Sequence, residues 1–501
     1  MERALGERPF KTMRTGLVLA VMAVSALALA AWAAAQPSAP SGAPTLSAPP
    51  PVNLRPGQIV LLERTLAQAD SQGFEHGEFV PSGLDDLLQS RNPDDRRNGQ
   101  AQLIAATLRY AQAVHAGRLA PDDFRYEWGL RPQAYDPAPD FAVALAQDRL
   151  GAWLDSLPPP YTGYETLRTA LANYRAIAAH SGWRALPDGT VLKPGERDPL
   201  VADLRSRLAV EDSNVADTGA QDYDPGLAQA VMRAQKRYGL EPTGALDKAT
   251  LAALNVPVSQ RVAQILANME RWRWLPQQLP ADRIQVNIAA AVLTLFQNDA
   301  PVLSMRAVTG RPNDQTPMLQ SQISSIVLNP PWNVPSDIAS KELWPKEHAH
   351  PGYFAHNDFI VIPTGDGGSR LQQKAGPKAA LGHVKFDFPN KYGVYLHDTP
   401  SHGTFASFSR MVSHGCVRLE KPVVLADAVM QGDAKWTPEL IDDTIAGGDT
   451  VRVPLPKPIS VFLLYWTAFA SADGTASFRA DPYDWDRSLM QRIDAASHAP
   501  A

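Results

Sequence analysis

Ser413-His414-Gly415-Cys416-Val417-Arg418-Leu419 is the stretch on which the reading of this chain turns, because it holds the one cysteine in 501 residues. A single thiol excludes an intramolecular disulfide and a tetrathiolate zinc site. Gly415 has no side chain, so the backbone beside the thiol can approach a reacting carbonyl closely and aim N–H groups at an oxyanion. Upstream, Tyr395-Leu396-His397-Asp398 closes an expected strand and places an imidazole where it can take the thiol proton. Thiol and imidazole together indicate acyl transfer. Seven of the chain's 11 histidines, at 348, 350, 356, 383, 397, 402 and 414, crowd the same region. His402 is a rival base, but it lies in the Pro400 to Gly403 turn, separated from Ser413 by only ten residues. His348, His350 and His356 lack a His-Glu-x-x-His spacing, so they are read as parts of a lid and no metal is expected.

Outward from this turn the period is that of strands. Ile284, Val286 and Ile288 alternate with polar residues, Gln297-Asn298-Asp299 turns, and Val302 to Val308 returns. Further strand-like runs lie at Ile323 to Leu328, Phe359 to Ile362, Val394 to Leu396, Val451 to Val453 and Ile459 to Trp466. The C-terminal third is therefore expected to be mainly β. Ser336 to Gly382, rich in Pro, Gly, His and aromatics, reads as a long loop, and a loop of that length is usually a lid or binding element.

The Ser413 to Arg418 motif, with His397 separated from Ser413 by 15 residues, resembles the catalytic domain of the L,D-transpeptidases over roughly Arg283 to Val453. The resemblance implies Cys416 as nucleophile and His397 as proton donor and acceptor. It also implies an oxyanion site lined by the backbone N–H groups of Gly415 and Cys416 with the His414 side chain, although an orienting role for His414 is equally open. Arg418, Ser413 and Tyr395 are candidate substrate-binding residues, with an internal anchor the alternative for Arg418. No metal or organic cofactor is needed, since thiolate, imidazole and oxyanion donors supply the chemistry.

Asp198 to Asn255 reads as three helices. Through Ala234-Gln235-Lys236-Arg237-Tyr238-Gly239-Leu240 and Thr243-Gly244-Ala245-Leu246-Asp247-Lys248-Ala249-Thr250 it resembles the peptidoglycan-binding module, with Ala234 where that module usually carries an aromatic. Before it, Leu103, Ile104, Thr107, Leu108 and Ala111 fall at helical spacing. Lys11 and Arg14 precede an uncharged run, Thr15 to Ala35, that reads as an export signal or an uncleaved anchor. The whole layout resembles the large Gram-negative L,D-transpeptidases. The expected fold is α+β and multidomain: signal 1–35, Pro-rich linker 36–56, helical scaffold domain 57–190, peptidoglycan-binding-like domain 196–256, mainly-β catalytic domain 283–470 with a lid insertion at 336–382, and a C-terminal tail 471–501.

A net charge of −5 offers no broad positive field, so nucleic acid is excluded as a partner. The resemblance implies peptidoglycan tetrapeptide stems as donor and acceptor, 3→3 cross-linking through a cysteinyl thioester, and a place in cell wall biogenesis and cell shape maintenance. The expected location is the periplasm, with membrane association if the signal is retained. An L,D-carboxypeptidase or cysteine peptidase passing the acyl group to water, and a non-catalytic wall-binding protein, stay open at the level of sequence.

Overall fold

The computed structural model describes residues 53–497; the expected signal segment and the linker up to residue 52 lie outside the described residues. From Arg283 the alternating runs become strands: β1 (Arg283–Asn287), β2 (Val292–Gln297), β3 (Ala300–Gly310) and β4 (Leu319–Leu328). Asn298 and Asp299 both take positive φ, +50° and +62°, as a two-residue hairpin between twisted strands requires. After an insertion come β8 (Val384–Asp387), β9 (Leu396–His397), β10 (Met411–Ser413), β11 (Val417–Leu419) and β12 (Val451–Leu464). These pair in the order β10-β3-β11-β9-β8-β4-β12-β1-β2, and β2 also pairs with β3, so the sheet closes on itself. Closure buries Ile284, Val286, Leu293, Leu295, Ile326, Phe386, Leu396 and Val417 in one core.

The two runs at 451–453 and 459–466 are a single strand. β12 lies antiparallel to β4, with a register shift between Pro454 and Ile459. Pro454, Pro456 and Pro458 have no N–H to give the ladder, which is why the pattern reads as an interruption.

The segment expected as a loop, 336–382, is a folded unit. Short helical turns between Ser336 and His356 sit with β5 (Trp332–Asn333), β6 (Phe359–Pro363) and β7 (Ser369–Gln373), which form a separate sheet in the order β5-β7-β6. Val334, Leu343, Phe354, Phe359 and Leu371 give it a core of its own.

The N-terminal region is helical, led by α1 (Pro56–Ala67) and α2 (Pro93–Ala116). In α2 the Asn92 side chain accepts the Asp94 N–H, Pro93 takes the first position, and Leu103, Ile104, Thr107, Leu108 and Ala111 form the buried stripe. After α3 (Thr162–Ala179) come the three helices of the next module, α4 (Leu200–Ala209), α5 (Pro225–Arg237) and α6 (Lys248–Leu254). Buried Gln235 holds that module together: its Nε2 donates to Thr243 Oγ1, the Ala245 carbonyl and Thr250 Oγ1 at 2.9–3.0 Å, while its Oε1 accepts the Gly244 N–H at 2.9 Å.

Two features differ from the sequence reading. A 16-residue helix, α7 (Val258–Arg273), fills the stretch between the module and β1. It buries Ile265 and Met269 in the core of the three-helix module, and beside them Gln264, Asn268, Glu270, Arg271 and Arg273. The expected C-terminal tail is also folded. β13 (Ala468–Ala470) and β14 (Ala476–Phe478) form a hairpin whose Ala468, Ala476 and Phe478 enter the core of the three-helix module, and α8 (Trp485–Ser497) packs Trp485, Leu489 and Ile493 into the catalytic core.

Candidate active site

Strands β9 and β11 run parallel as neighbours, pairing Leu396 with Val417 and His397 with Arg418. The Val417 N–H bonds the Tyr395 carbonyl at 3.0 Å, so Cys416 emerges from its turn directly beside the end of β9. Tyr395 supports the thiol with both its backbone N–H and its phenol, and Trp332 of the insertion in turn bonds the Tyr395 side chain. Lys385 sits over the Tyr395 ring, with Nζ 4.1 Å from the centroid.

His397 is 4 % exposed. Its Nδ1 lies 2.5 Å from the Asp398 carbonyl, an atom that can only accept, so the proton belongs on Nδ1 and Nε2 is the nitrogen able to receive one. The Asp398 carboxylate, also buried, pins the end of the strand by accepting the N–H groups of His383 and Thr399 at 2.8 and 2.7 Å.

Burial pushes the His397 imidazole down to about 3, and the nearby Arg418 guanidinium adds to the fall. Burial also pushes the Cys416 thiol up, against the hydrogen bonds from Tyr395 and the cations Lys385 and Arg418 that favour the thiolate. The resting pair is therefore neutral thiol and neutral imidazole.

The turn itself is braced from several sides. Gly415 has φ +106°, a conformation a side chain resists. Thr316 Oγ1 donates to the Gly415 carbonyl at 2.7 Å and accepts the Gly310 N–H at 2.8 Å, and the Tyr483 hydroxyl donates to the Gly310 carbonyl at 2.5 Å. His414 Nε2 donates to Glu342 of the insertion at 2.7 Å, and Arg311 holds the same carboxylate at 3.3 Å. Those partners keep the Glu342 carboxyl below the usual range, with the His414 bond the largest cause.

The structure thus brings Cys416, His397, Tyr395 and Arg418 together and orients His414 away toward Glu342. Ser413 is not placed to bind substrate. It is 1 % exposed, its hydroxyl donates to the Cys416 carbonyl at 2.6 Å, and it accepts the Gly415 N–H at 3.2 Å. The rival His402 is exposed on a helical turn, and His348, His350 and His356 are exposed on the insertion. Glu342, Thr316 and Tyr483 carry no local sequence signal. They reach the turn from 67 to 100 residues away along the chain.

Residues 414, 415 and 418 line two cavities. One, of about 230 Å³, runs under the insertion and is lined by Trp332, Tyr353, Phe359, Thr399 and Arg418. The other, of about 440 Å³, reaches His414 and Gly415.

Residues 281–451 match the YkuD family, the L,D-transpeptidase catalytic domain; residues 55–171 match the Scaffold domain; and residues 197–254 match the family described as "Putative peptidoglycan binding domain". The chain thus carries an L,D-transpeptidase catalytic domain at residues 281–451. It is 32% identical over 253 residues to a Haemophilus influenzae protein named "Putative L,D-transpeptidase", covering 47% of this chain and 51% of that one. The match thus spans about half the length of that curated relative. Among solved structures, L,D-transpeptidase 3 from Mycobacterium tuberculosis is 16% identical over 37% of this chain and 61% of its own, with a TM-score of 0.20. The L,D-transpeptidase from Xylanimonas cellulosilytica is 15% identical over 56% of this chain and 99% of its own, with a TM-score of 0.17. Likenesses at that level carry no argument. The catalytic domain is thus preceded in this chain by a match to a peptidoglycan-binding module.

Proposed function

We propose that this L,D-transpeptidase forms 3→3 cross-links between peptidoglycan stems in the periplasm through a thioester on Cys416. The observation that carries the reading is the pairing of β9 with β11, which sets a thiol-bearing turn beside an imidazole that carries its proton on Nδ1, against the Asp398 carbonyl. Cys416 Sγ attacks the carbonyl that links the third residue of a tetrapeptide stem, a diaminopimelate, to its terminal D-alanine. Because the resting pair is neutral, the thiol proton passes to His397 as the C–S bond forms. The C–N bond then breaks and His397 returns the proton to the leaving D-alanine amine. In the second half, the side-chain amine of another stem attacks the thioester, gives its proton to His397, and Cys416 leaves with that proton. Tyr395 offers the departing sulfur a hydrogen bond at both steps. With the Gly415 N–H engaged by Ser413, the Cys416 N–H is the oxyanion donor of the pair at the turn.

Mass analysis of muropeptides after incubation with tetrapeptide-containing peptidoglycan tests this. The expected products are 3→3 dimers with one D-alanine released per link, and none from a folded Cys416→Ala variant. Tripeptide without dimers would make the protein an L,D-carboxypeptidase, and no turnover would leave a wall-binding role.

A further inference from the structure

One peptide group, the link from Gly415 to Cys416, sets the direction of the oxyanion donor. Its N–H belongs to Cys416 and its carbonyl to Gly415, and in a planar trans amide the two point in opposite directions. Fixing the carbonyl therefore aims the donor. The turn does not do this by itself: with a glycine on one side, at φ +106°, rotation of the plane meets little steric resistance. The hold comes from outside. Thr316 Oγ1 donates to the Gly415 carbonyl at 2.7 Å, and the same oxygen accepts the Gly310 N–H at 2.8 Å, which leaves its one proton for Gly415. Thr316 is fully buried, so its hydroxyl has no solvent partner to turn toward.

Thr316 is itself held by the C-terminal segment. The Tyr483 hydroxyl accepts the Thr316 N–H at 3.1 Å and donates to the Gly310 carbonyl at 2.5 Å. The Tyr483 ring is fixed in turn, stacked on Tyr465 at 5.2 Å and edge-on to Trp485 at 5.0 Å, while Trp485 Nε1 donates to Gln315 Oε1 at 3.0 Å. Gly310, Thr316 and Tyr483 thus form a closed buried network, from which the Thr316 hydroxyl reaches the thiol turn. We propose that Thr316 and Tyr483 are positioning residues of the acyl-transfer step: Thr316, held by Tyr483, fixes the Gly415–Cys416 peptide plane and so aims the Cys416 N–H at the oxyanion. This rests on the transpeptidase reading above and adds to it the two residues that keep its oxyanion donor pointed. As Cys416 Sγ bonds the substrate carbonyl carbon, the carbonyl π pair moves onto oxygen and the thiol proton passes to His397. The aimed N–H meets that charge, and the pair returns to re-form the carbonyl as the C–N bond breaks.

The test uses the full chain and compares two reactions of the same thiol. Acylation of Cys416 by a carbapenem, followed by mass, passes through an oxyanion. Alkylation by iodoacetamide forms the C–S bond as iodide leaves and places no charge on a carbonyl oxygen, so it reads the thiol, His397 and access but not the donor. Thr316→Val is expected to slow acylation by about 10-fold to 10²-fold, short of the roughly 10²–10³ lost when an oxyanion donor is removed outright. Its alkylation rate and the pH profile of that rate should stay within about threefold of wild type, since nothing that touches the thiol has changed. Tyr483→Phe keeps the stacked ring and removes only the hydroxyl, so it should slow acylation by about three- to tenfold, again without slowing alkylation. Thr316→Ser restores the hydroxyl and with it most of the acylation rate. Unchanged acylation in both Thr316→Val and Tyr483→Phe would overturn the assignment. So would acylation and alkylation that fall in parallel, or a Thr316→Ser variant as slow as Thr316→Val. A wild-type protein that iodoacetamide alkylates but a carbapenem does not acylate would instead overturn the transpeptidase reading, and this inference with it.

Discussion

At the scale of single residues, the neutral resting pair sets the pH dependence. The Cys416 thiol titrates above its ordinary range and His397 below its own. The alkylation rate of Cys416 by iodoacetamide is therefore expected to climb with pH past the ordinary thiol range of about 8.5, with no plateau between pH 5 and 8 such as a preformed thiolate–imidazolium pair would produce. A flat, fast rate across that window would show the ion pair. The same depressed imidazole has a stability consequence. The unfolded chain binds the His397 proton near pH 6.5 and the folded chain resists it down to about 3, so this contribution is whole above pH 6.5 and is lost as pH falls toward 3. Melting temperature measured over that range should fall less steeply in His397→Gln. The same variant should cut carbapenem acylation by about 10²-fold or more, against little change for the exposed His402→Ala, and equal defects would reassign the base. Cys416 and His397 are legible in the sequence because a lone thiol next to a glycine and a histidine closing a strand are local facts. Glu342 is not, since it lies 72 positions before His414 and meets it only after the insertion has folded into a unit.

At the scale of elements, the insertion is more than a cover. Its Glu342 and Trp332 touch the turn and the phenol that support the thiol, so its removal should disturb orientation as well as water access. Shortening 336–382 while keeping Trp332 is expected to raise tripeptide release relative to cross-linked dimer, and an unchanged ratio in a folded variant would reduce the insertion to support of the sheet. Period-2 strands and capped helices are readable because their apolar faces alternate or recur. The insertion reads as a loop because each of its pieces is shorter than the window in which a period can be seen, and its core of Val334, Leu343, Phe354, Phe359 and Leu371 assembles from all of them at once.

At the scale of the whole molecule, α7 joins the parts. Glu270, wholly buried, accepts the Arg118 N–H of the helical region at 2.6 Å and Arg273 at 2.7 Å; Arg271 meets Asp486 of α8 at 2.5 Å; and Asn268 donates to Thr467 at 2.7 Å. Glu270→Ala leaves the buried Arg273 guanidinium without its carboxylate and the Arg118 N–H without its acceptor, and should cost about 3–5 kcal/mol, read by chemical denaturation. The helical spacing of α7 is present in the sequence at Val258, Val262, Ile265, Leu266 and Met269, whereas its buried charge pairs form only when distant segments close on it. They also bear on how the molecule is made. β1 runs beside β12, some 175 positions later, and the three-helix module takes part of its interior from the hairpin that ends at Phe478. A chain leaving the ribosome amino end first cannot finish the module's core before β14, nor the catalytic core before α8, has been synthesised. It must therefore remain available to chaperones and proteases until α8 emerges, and a premature stop anywhere before α8 leaves no completed catalytic half to accumulate.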